Sequence, residues 1–172
     1  WQAGHALLRH RSGLMGLIIT LLLALLALSA PLLAPYDPLQ MDATVRFHPP
    51  STTYPLGTDE FGRDILSRIL MGARLSFSVA FVSIGLAAVT GVLVGTLAGY
   101  AGGKFDSLSM RLMDALLAFP AILLAIVIVA ILGAGPLKAM LAVLLVNIPG
   151  FARLARANIL VEKNKEYVAA AY

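Results

Sequence analysis

Long apolar runs separated by short polar segments dominate this chain, and the pattern predicts membrane-spanning helices. A hydrocarbon core about 30 Å thick requires roughly 20 consecutive apolar residues in a helix. Runs that reach or approach this length are interpreted as spans: Leu14–Leu33, Ser76–Gly99, Leu112–Leu132 and Leu137–Phe151. The pattern therefore predicts an all-α membrane protein.

Composition supports a membrane protein over a soluble one. The 172 residues are 59% hydrophobic and 13% charged, whereas soluble domains are about 45 to 50% apolar and about 25% charged. The sequence has no cysteine, so it offers no disulfide and no thiolate metal site. It also has no GxxxxGKS/T nucleotide loop, so if ATP powers this protein, the ATPase must be another chain.

Basic residues precede the first span, lie between the second and third spans, and follow the fourth. Lys and Arg in short flanks favour the cytoplasmic side. They are spread over several flanks: Arg9, Arg11, Lys104, Arg111, Arg153, Arg156, Lys163 and Lys165. This predicts a multi-pass protein of the cell inner (plasma) membrane with both termini in the cytoplasm. Because these residues form no single patch, no nucleic-acid partner is expected. We also expect an uncleaved first span and a longer parent polypeptide.

The pattern divides the chain into three regions. Residues 1–57 are predicted to hold the cytoplasmic N-terminus, the first span and an extracytoplasmic tether. The tether contains five prolines between Pro35 and Pro55, which oppose regular helix. Residues 58–75 are predicted to form an interfacial amphipathic helix, and residues 76–172 a helical core.

The charged block PLGTDEFGRDILSRILMGARL, residues 55–75, has the most regular polar pattern in the chain. It predicts a helix that starts at Thr58, with Thr58 or Asp59 as the N-cap. Apolar residues recur at helical spacing, and Asp64 can pair with Arg68 four residues later. Two interpretations stay open for its polar face, which is either solvated or in contact with an external partner. That face comprises Asp59, Arg63, Asp64 and Arg68.

Polar and helix-breaking residues within the spans are candidates for packing and gating. Arg111 and Asp114 are three residues apart and can pair along one helix face. Alternatively, the Arg111 side chain extends to the membrane–water interface, and Asp114 is only its ion-pair partner. Pro120 in the third span, and Pro149 beside Asn147 in the fourth, each remove a backbone hydrogen bond, so both helices are expected to kink.

Small residues form a stripe on the second span. Gly91, Gly95 and Gly99 recur every four residues, so they lie on one helix face. Such a repeat is common where membrane helices pack closely. We predict a helix contact on this face rather than a pore lining.

The sequence offers little for catalysis or metal binding. His5, His10 and His48 are scattered outside the spans, and no serine lies in a GxSxG context. No catalytic residue and no metal site are predicted.

Four stretches carry a family resemblance: PLGTDEFGRDILSRILMGARLS, LAGYAGGKFD, MRLMDALLAFPAILLA and NIPGFARLARANILVEKNKEYVAAA. In them the chain resembles the membrane permease subunits of binding-protein-dependent ABC importers, specifically the second permease of the dipeptide, oligopeptide, glutathione and nickel group. The resemblance implies a type I importer (MetI-like) transmembrane domain with four of six expected helices present. It makes residues 76–172 the first part of the permease core, which ends inside the EAA coupling loop.

The same resemblance implies roles for residues near the end of the chain. The segment from Glu166 would begin the coupling helix that fits a groove of a cytoplasmic ATPase. The residues implied in this contact are Glu166, Tyr167, Ala169, Ala170, Ala171, Arg153 and Arg156. The chain departs from the family at Ala169, where an acidic residue often stands, and Glu166 can supply that charge instead.

The function implied is ATP-driven import of di- or oligopeptides by alternating access. Expected partners are a homologous permease, two ATPase subunits that bind ATP and Mg, an extracytoplasmic substrate-binding protein and membrane lipid, with no cofactor on this chain. One alternative is an ion-driven secondary transporter or channel, which requires a polar lining near mid-membrane. The spans offer few such residues: Thr20, Ser83, Thr90 and Asn147. A further alternative is a non-transporting scaffold.

Overall fold

The computed structural model describes residues 11–163 and residue 165. Five α-helices lie within these residues: α1 (Arg11–Leu33), α2 (Ile65–Ala101), α3 (Gly103–Leu117), α4 (Ala121–Leu132) and α5 (Pro136–Lys163). The loop between α1 and α2 holds a 3-10 turn at Ala43–Val45. An isolated bridge joins Thr58 to Asp64, and no strand is present in the described part of the chain. The predicted all-α class is confirmed.

The chain divides into two compact units, with the boundary after Ser78. The first unit contains α1, the loop and the first turns of α2. In the second unit, α5 packs against both α3 and α4. Buried positions of this unit are filled mainly by small side chains: Ala87, Ala98, Ala142 and Ala152. Small side chains at these positions permit close approach of the helices.

Three helices, α1, α2 and α5, are long and apolar enough to cross a membrane. The pair α3 and α4 provides a fourth crossing if the two are counted as one bent span. Large apolar side chains on these helices are widely exposed, as for Leu28 at 73% and Ile131 at 77%. Such surfaces match a hydrocarbon solvent rather than water.

The start of α2 differs from the prediction. The helix begins at Ile65 and not at Thr58, and it continues without interruption for 37 residues to Ala101. The predicted amphipathic segment and the second span are therefore parts of one continuous helix. Gly62 is the local reason for the later start, because its φ of 72° is left-handed and incompatible with a right-handed helix.

The third predicted span is broken rather than merely kinked. Helix α3 ends at Leu117, α4 starts at Ala121, and their axes differ by 87°. Pro120 is the N-cap of α4 with ψ of 128°, an extended conformation that cannot continue a helix. Proline also lacks the N–H that would bond back into α3. The disruption predicted at Pro120 is thus confirmed and is larger than a kink.

Pro149 has a milder effect in α5. The helix runs unbroken from Pro136 to Lys163 with Pro149 inside it. The Pro149 side chain is fully buried. Neighbouring protein therefore surrounds this position, a setting in which proline is tolerated within membrane helices.

The glycine stripe of α2 makes a close helix contact, as predicted, and its partner is α5. A Cβ atom built on Gly91 would lie 2.7 Å from the carbonyl oxygen of Ile148. On Gly95 it would overlap the backbone of Ala152, and on Gly99 it would lie 3.0 Å from a methyl group of Ile159. The two backbones approach too closely at Gly95 for any side chain. We call this contact the glycine seam.

Replacing Gly95 by alanine should destabilise the helical core, because the added methyl group meets backbone atoms that cannot rotate away. Overpacking of this kind costs about 1–3 kcal/mol. Gly85→Ala is the matched control, since nothing lies within 4 Å of a Cβ at Gly85. Thermal unfolding in detergent should show a lower midpoint for Gly95→Ala only. Equal midpoints for the two variants would contradict the seam.

Candidate functional site

Asp59 organises the charged loop that precedes α2. Its Oδ1 atom accepts hydrogen bonds from the backbone N–H groups of Phe61 at 2.9 Å and Arg63 at 3.0 Å. Its Oδ2 atom accepts from Arg63 Nε at 2.7 Å and pairs with the Arg68 guanidinium. The Arg63 guanidinium also lies 4.5 Å from the ring centre of Phe61. Asp59, Arg63 and Arg68 therefore form one cluster within the loop.

The electrostatics of Asp59 follow from these contacts. Partial burial alone would raise its pKa, but the N–H groups of Arg63 and Phe61 and the Arg63 guanidinium favour the ionised form. Together they hold the pKa of Asp59 well below its usual range. This carboxylate stays charged, and its charge is directed into the loop.

Asp64 caps α2 instead of pairing with Arg68. Its Oδ2 atom accepts hydrogen bonds from the N–H of Ser67 at 2.8 Å and from the Ser67 hydroxyl at 2.7 Å. The Ser67 hydroxyl oxygen in turn accepts the N–H of Tyr36 at 3.1 Å. The predicted Asp64–Arg68 pair is wrong, because Arg68 reaches Asp59 while Asp64 is buried at the helix start.

A cavity of about 70 Å³ lies beside Asp64 within the first unit. We call it the loop cavity. Its lining comprises three carboxylates, two aromatic rings, an amide and a glycine: Asp37, Asp42, Asp64, Tyr36, Tyr54, Gln40 and Gly62. Gly62 and Asp64 are buried, the two tyrosines are half-buried, and the remaining residues are exposed. The cavity thus opens outward from a buried carboxylate.

Two ion pairs join α3 to α5 in the second unit. Arg156 binds Asp106 through two parallel bonds, Nε to Oδ1 at 2.5 Å and Nη2 to Oδ2 at 2.6 Å. Arg153 binds Asp114 at 2.5 Å. The pairs differ in exposure, since the Asp106 side chain is 15% exposed and the Asp114 side chain 60%. The bidentate pair is also the better shielded from water.

The predicted pairing of Arg111 with Asp114 is replaced by this contact between helices. Asp114 is turned toward Arg153 of α5, and Arg111 is exposed. Sequence spacing indicates only neighbours along one helix, and the carboxylate here is close to a guanidinium 39 positions later. The gating role predicted for Arg111 and Asp114 stays a prediction.

The C-terminal end of α2 is held by a third basic residue. Lys163 Nζ donates to the carbonyl oxygen of Tyr100 at 3.1 Å and lies 5.9 Å from the centre of its ring. The last carbonyls of a helix lack intrahelical partners, so a lysine here satisfies one of them.

The remaining predicted residues are distributed unevenly over the structure. Asn147 Nδ2 donates to the Val143 carbonyl of its own helix at 2.7 Å, and Pro149 is buried nearby. Pro120 lies at the break before α4. The predicted coupling residues Glu166, Tyr167, Ala169, Ala170 and Ala171 lie outside the described residues. Within the described residues, no three His, Asp or Glu side chains are placed to hold a metal ion.

Sequence reasoning missed Asp106 and Ser67. The pair Gly102–Gly103, shortly before Asp106, indicates a turn in the sequence. Both glycines have positive φ at the start of α3. Its partner was not readable, because Arg156 lies 50 positions away. Ser67 stands three residues after Asp64, a spacing typical of an N-cap and its N3 residue.

Two family descriptions match parts of this chain. Residues 91–172 match the family described as binding-protein-dependent transport system inner membrane component. Residues 1–50 match the N-terminal transmembrane domain of oligopeptide transport permease C. The first match covers the seam, both ion pairs and the predicted coupling segment.

Individual relatives match along nearly the whole chain. It is 42% identical to a di/tripeptide transport system permease protein of Pseudomonas aeruginosa, over 99% of this chain and 57% of the relative. It is 42% identical to a dipeptide permease protein of Haemophilus influenzae, over 93% and 56%. A glutathione permease protein of Pectobacterium atrosepticum is 43% identical, over 95% and 54%. The chain spans about half the length of the curated relatives it matches.

The two ion pairs should contribute unequally to stability. Asp106→Asn removes the charge opposite a half-buried Arg156 and weakens a bidentate pair, so it should lower the unfolding midpoint more than Asp114→Asn does. Asp114→Asn alters an exposed pair, which contributes about 0–1 kcal/mol. Thermal unfolding midpoints of the purified variants measure the difference. A loss for Asp114→Asn as large as that for Asp106→Asn would contradict the assignment.

The loop around Asp59 should lose protection in acid. A carboxyl group whose pKa is depressed by folding stabilises the fold above its unfolded pKa, near 3.8, and this contribution is lost as pH falls through the folded value. Hydrogen exchange of the Phe61 and Arg63 amides, corrected for intrinsic rates, should therefore accelerate below about pH 4. Asp59→Asn should flatten the profile, whereas Glu60→Gln, at an exposed acid in the same loop, should preserve it. A profile that Asp59→Asn leaves unchanged would exclude this residue as the cause.

Proposed function

Because this chain belongs to the binding-protein-dependent transport system inner membrane component family, we propose that it forms part of the permease of an ATP-driven importer of di- or oligopeptides. The supporting observation is its similarity along nearly its full length to proteins named as peptide permeases. The cargo follows those names, which are di/tripeptide for one relative and dipeptide for two others.

The proposed mechanism is alternating access without bond chemistry on this chain. ATP and Mg would bind to two separate cytoplasmic ATPase subunits, whose closure moves the permease between inward-open and outward-open states. A homologous second permease would complete the translocation pathway within the lipid bilayer. An extracytoplasmic substrate-binding protein would deliver the peptide. No cofactor is assigned to this chain.

Orientation in this proposal follows the positive-inside rule. The N-terminus lies in the cytoplasm, so the loop before α2 is extracytoplasmic and Lys163 lies at the inner side. The end of α5 that carries Arg153 and Arg156 then faces the ATPases. The loop cluster of Asp59, Arg63 and Arg68 lies on the side from which a binding protein would approach.

The contacts within the second unit suggest how motion would be transmitted. A coupling segment that begins near Glu166 follows α5 directly. Movement of α5 would reach α2 through the glycine seam and α3 through Arg156 and Arg153, which hold Asp106 and Asp114. The break at Pro120 would let α3 and α4, which both pack against α5, respond to this movement separately. Arg153 and Arg156 would thus act in coupling through α3 as well as by any direct contact with the ATPase.

Reconstitution of the full-length importer tests the proposal directly. The permease is purified in mild detergent with its partner subunits, and ATPase activity is measured with candidate binding proteins, loaded and unloaded. Co-purification of a second permease and an ATPase, with stimulation by one loaded binding protein, is the expected result. If the protein purifies alone and transports in response to membrane potential, the importer proposal is wrong and an ion-driven transporter is favoured.

A reversed charge or a bulky side chain in the coupling segment should uncouple transport from ATP hydrolysis. We expect Glu166→Lys and Ala170→Trp to abolish peptide uptake while membrane insertion and assembly are retained, because both alter the surface presented to the ATPase. Glu162→Gln, which lies on α5 before that segment, is the matched control. Uptake and ATPase rates in proteoliposomes report the result, and normal uptake by both coupling variants would refute the assignment.

A further inference from the structure

Helix α3 is too short to cross a membrane by itself, and it points in a different direction from its neighbour. Its 15 residues, Gly103–Leu117, extend about 22 Å, whereas the hydrocarbon core is about 30 Å thick. Its axis lies at 87° to that of α4, in which every residue is apolar. Because α4 is compatible with hydrocarbon along its whole length, an upright α4 places α3 close to the membrane plane.

The ion pairs between α3 and α5 indicate the same orientation. Asp106 and Asp114 are eight residues apart, about 12 Å along α3. Their partners Arg156 and Arg153 are three residues apart, about 4.5 Å along α5. The contacts therefore cover a longer distance on α3 than on α5, so α3 runs across α5 rather than beside it. Since α5 is long and apolar enough to be a span, α3 lies near the membrane plane.

The crossing point on α5 corresponds to the height of a membrane–water interface. Arg153 and Arg156 lie about 26–30 Å along the helix from its first residue, Pro136. This distance is close to the thickness of the hydrocarbon core, about 30 Å. With the start of α5 at one interface, α3 lies at the other. The positive-inside rule makes this the cytoplasmic interface.

The surface of α3 that α5 leaves uncovered combines apolar side chains with two cations. Phe105, Leu108 and Leu112 recur at helical spacing and are 51%, 70% and 61% exposed. Lys104 and Arg111 are seven residues apart, two turns along one side of the helix, and both are exposed. Neither cation has a hydrogen bond or an ion pair among the described residues. The two acids of α3 are paired with arginines of α5, so the uncovered surface is positive.

We propose that α3 is an interfacial helix that binds anionic phospholipid, with its apolar side chains among the acyl chains and with Lys104 and Arg111 at the phosphate groups. Amphipathic helices with basic residues beside an apolar face bind at this depth. The long side chains of lysine and arginine reach the headgroups while their aliphatic parts stay near hydrocarbon. Lipid is the occupant that this surface favours, because phosphate complements both cations and acyl chains complement the apolar stripe.

Both ends of α3 permit this orientation. Gly102 and Gly103, at the end that follows α2, have positive φ and let the chain change direction. Pro120 is extended at the other end and starts α4 in its own direction. The inference goes beyond the proposed function, because lipid binding requires neither ATP nor peptide. Only the choice of the cytoplasmic leaflet follows from the proposed orientation.

The first experiment measures the depth of two positions on α3 in lipid nanodiscs. The full-length protein, with the subunits that co-purify with it, carries Phe105→Cys or Leu112→Cys in a cysteine-free background and a bimane label. Quenching by phospholipids with nitroxides at the headgroup or along the acyl chain gives each depth. The two positions should lie at nearly equal depths just below the headgroups. A membrane-spanning α3 would separate them by about 10 Å, and that result would overturn the proposal.

Two positions on α2 provide the matched control. Leu86 and Leu93 are also seven residues apart and exposed, and they lie within a helix long enough to be a span. Labels at Leu86→Cys and Leu93→Cys should therefore differ in depth by about 10 Å. Absence of lipid quenching at both α3 positions would mean that a protein partner covers this surface, and it would also overturn the proposal.

Removal of the two cations tests their contact with anionic lipid. Hydrogen exchange of the α3 amides is compared in nanodiscs of phosphatidylcholine and of equal parts phosphatidylcholine and phosphatidylglycerol at low salt. Phosphatidylglycerol should slow exchange in the wild type by about fivefold for each cation. The double variant Lys104→Gln with Arg111→Gln should lose this effect, whereas Lys138→Gln, near the start of α5, should respond as the wild type does. Equal exchange of the wild type in both lipids would refute binding of anionic phospholipid.

Discussion

The close approach of α2 and α5 along the glycine seam is the constraint on which the second unit depends. In a bilayer, helices gain little hydrophobic energy from association, so van der Waals contact between closely spaced backbones becomes decisive. Gly91, Gly95 and Gly99 permit this contact because they have no side chain. The seam fixes the rotation of α5 about its own axis and its position along α2. That placement in turn determines which side chains of α5 can reach α3.

The ion pairs between α3 and α5 follow from this placement. Arg153 and Arg156 are three residues apart, so both lie on nearly the same face of α5. Each meets a carboxylate of α3, at Asp114 and Asp106 respectively. Charged groups near hydrocarbon are tolerated when they are paired, and the bidentate geometry of Arg156 is a strong form of such pairing. Steric fit at the seam and charge pairing beside it therefore hold three helices together.

Periodicity and composition predicted the helical class, the apolar spans, the disruption at Pro120 and the role of the glycine stripe, because each depends on local sequence. Contacts between distant residues were not accessible in this way. Asp114 was assigned to Arg111 by spacing, but its partner is Arg153 of another helix. The start of α2 was placed at Thr58, since Asp59 is a good N-cap. The Asp59 carboxylate instead accepts the Phe61 N–H and closes a turn that Gly62 makes possible.

The loop uses its two key carboxylates in different ways. Asp59 accepts hydrogen bonds from two backbone amides and pairs with two arginines, so its charge is neutralised within the loop. Asp64 needs only one oxygen to cap α2, a task that Asn or Ser performs equally well. The positive end of the helix dipole favours a carboxylate there, but it does not donate to the second oxygen. Asp59 therefore holds the turns of the loop together, whereas Asp64 fixes the residue at which α2 begins.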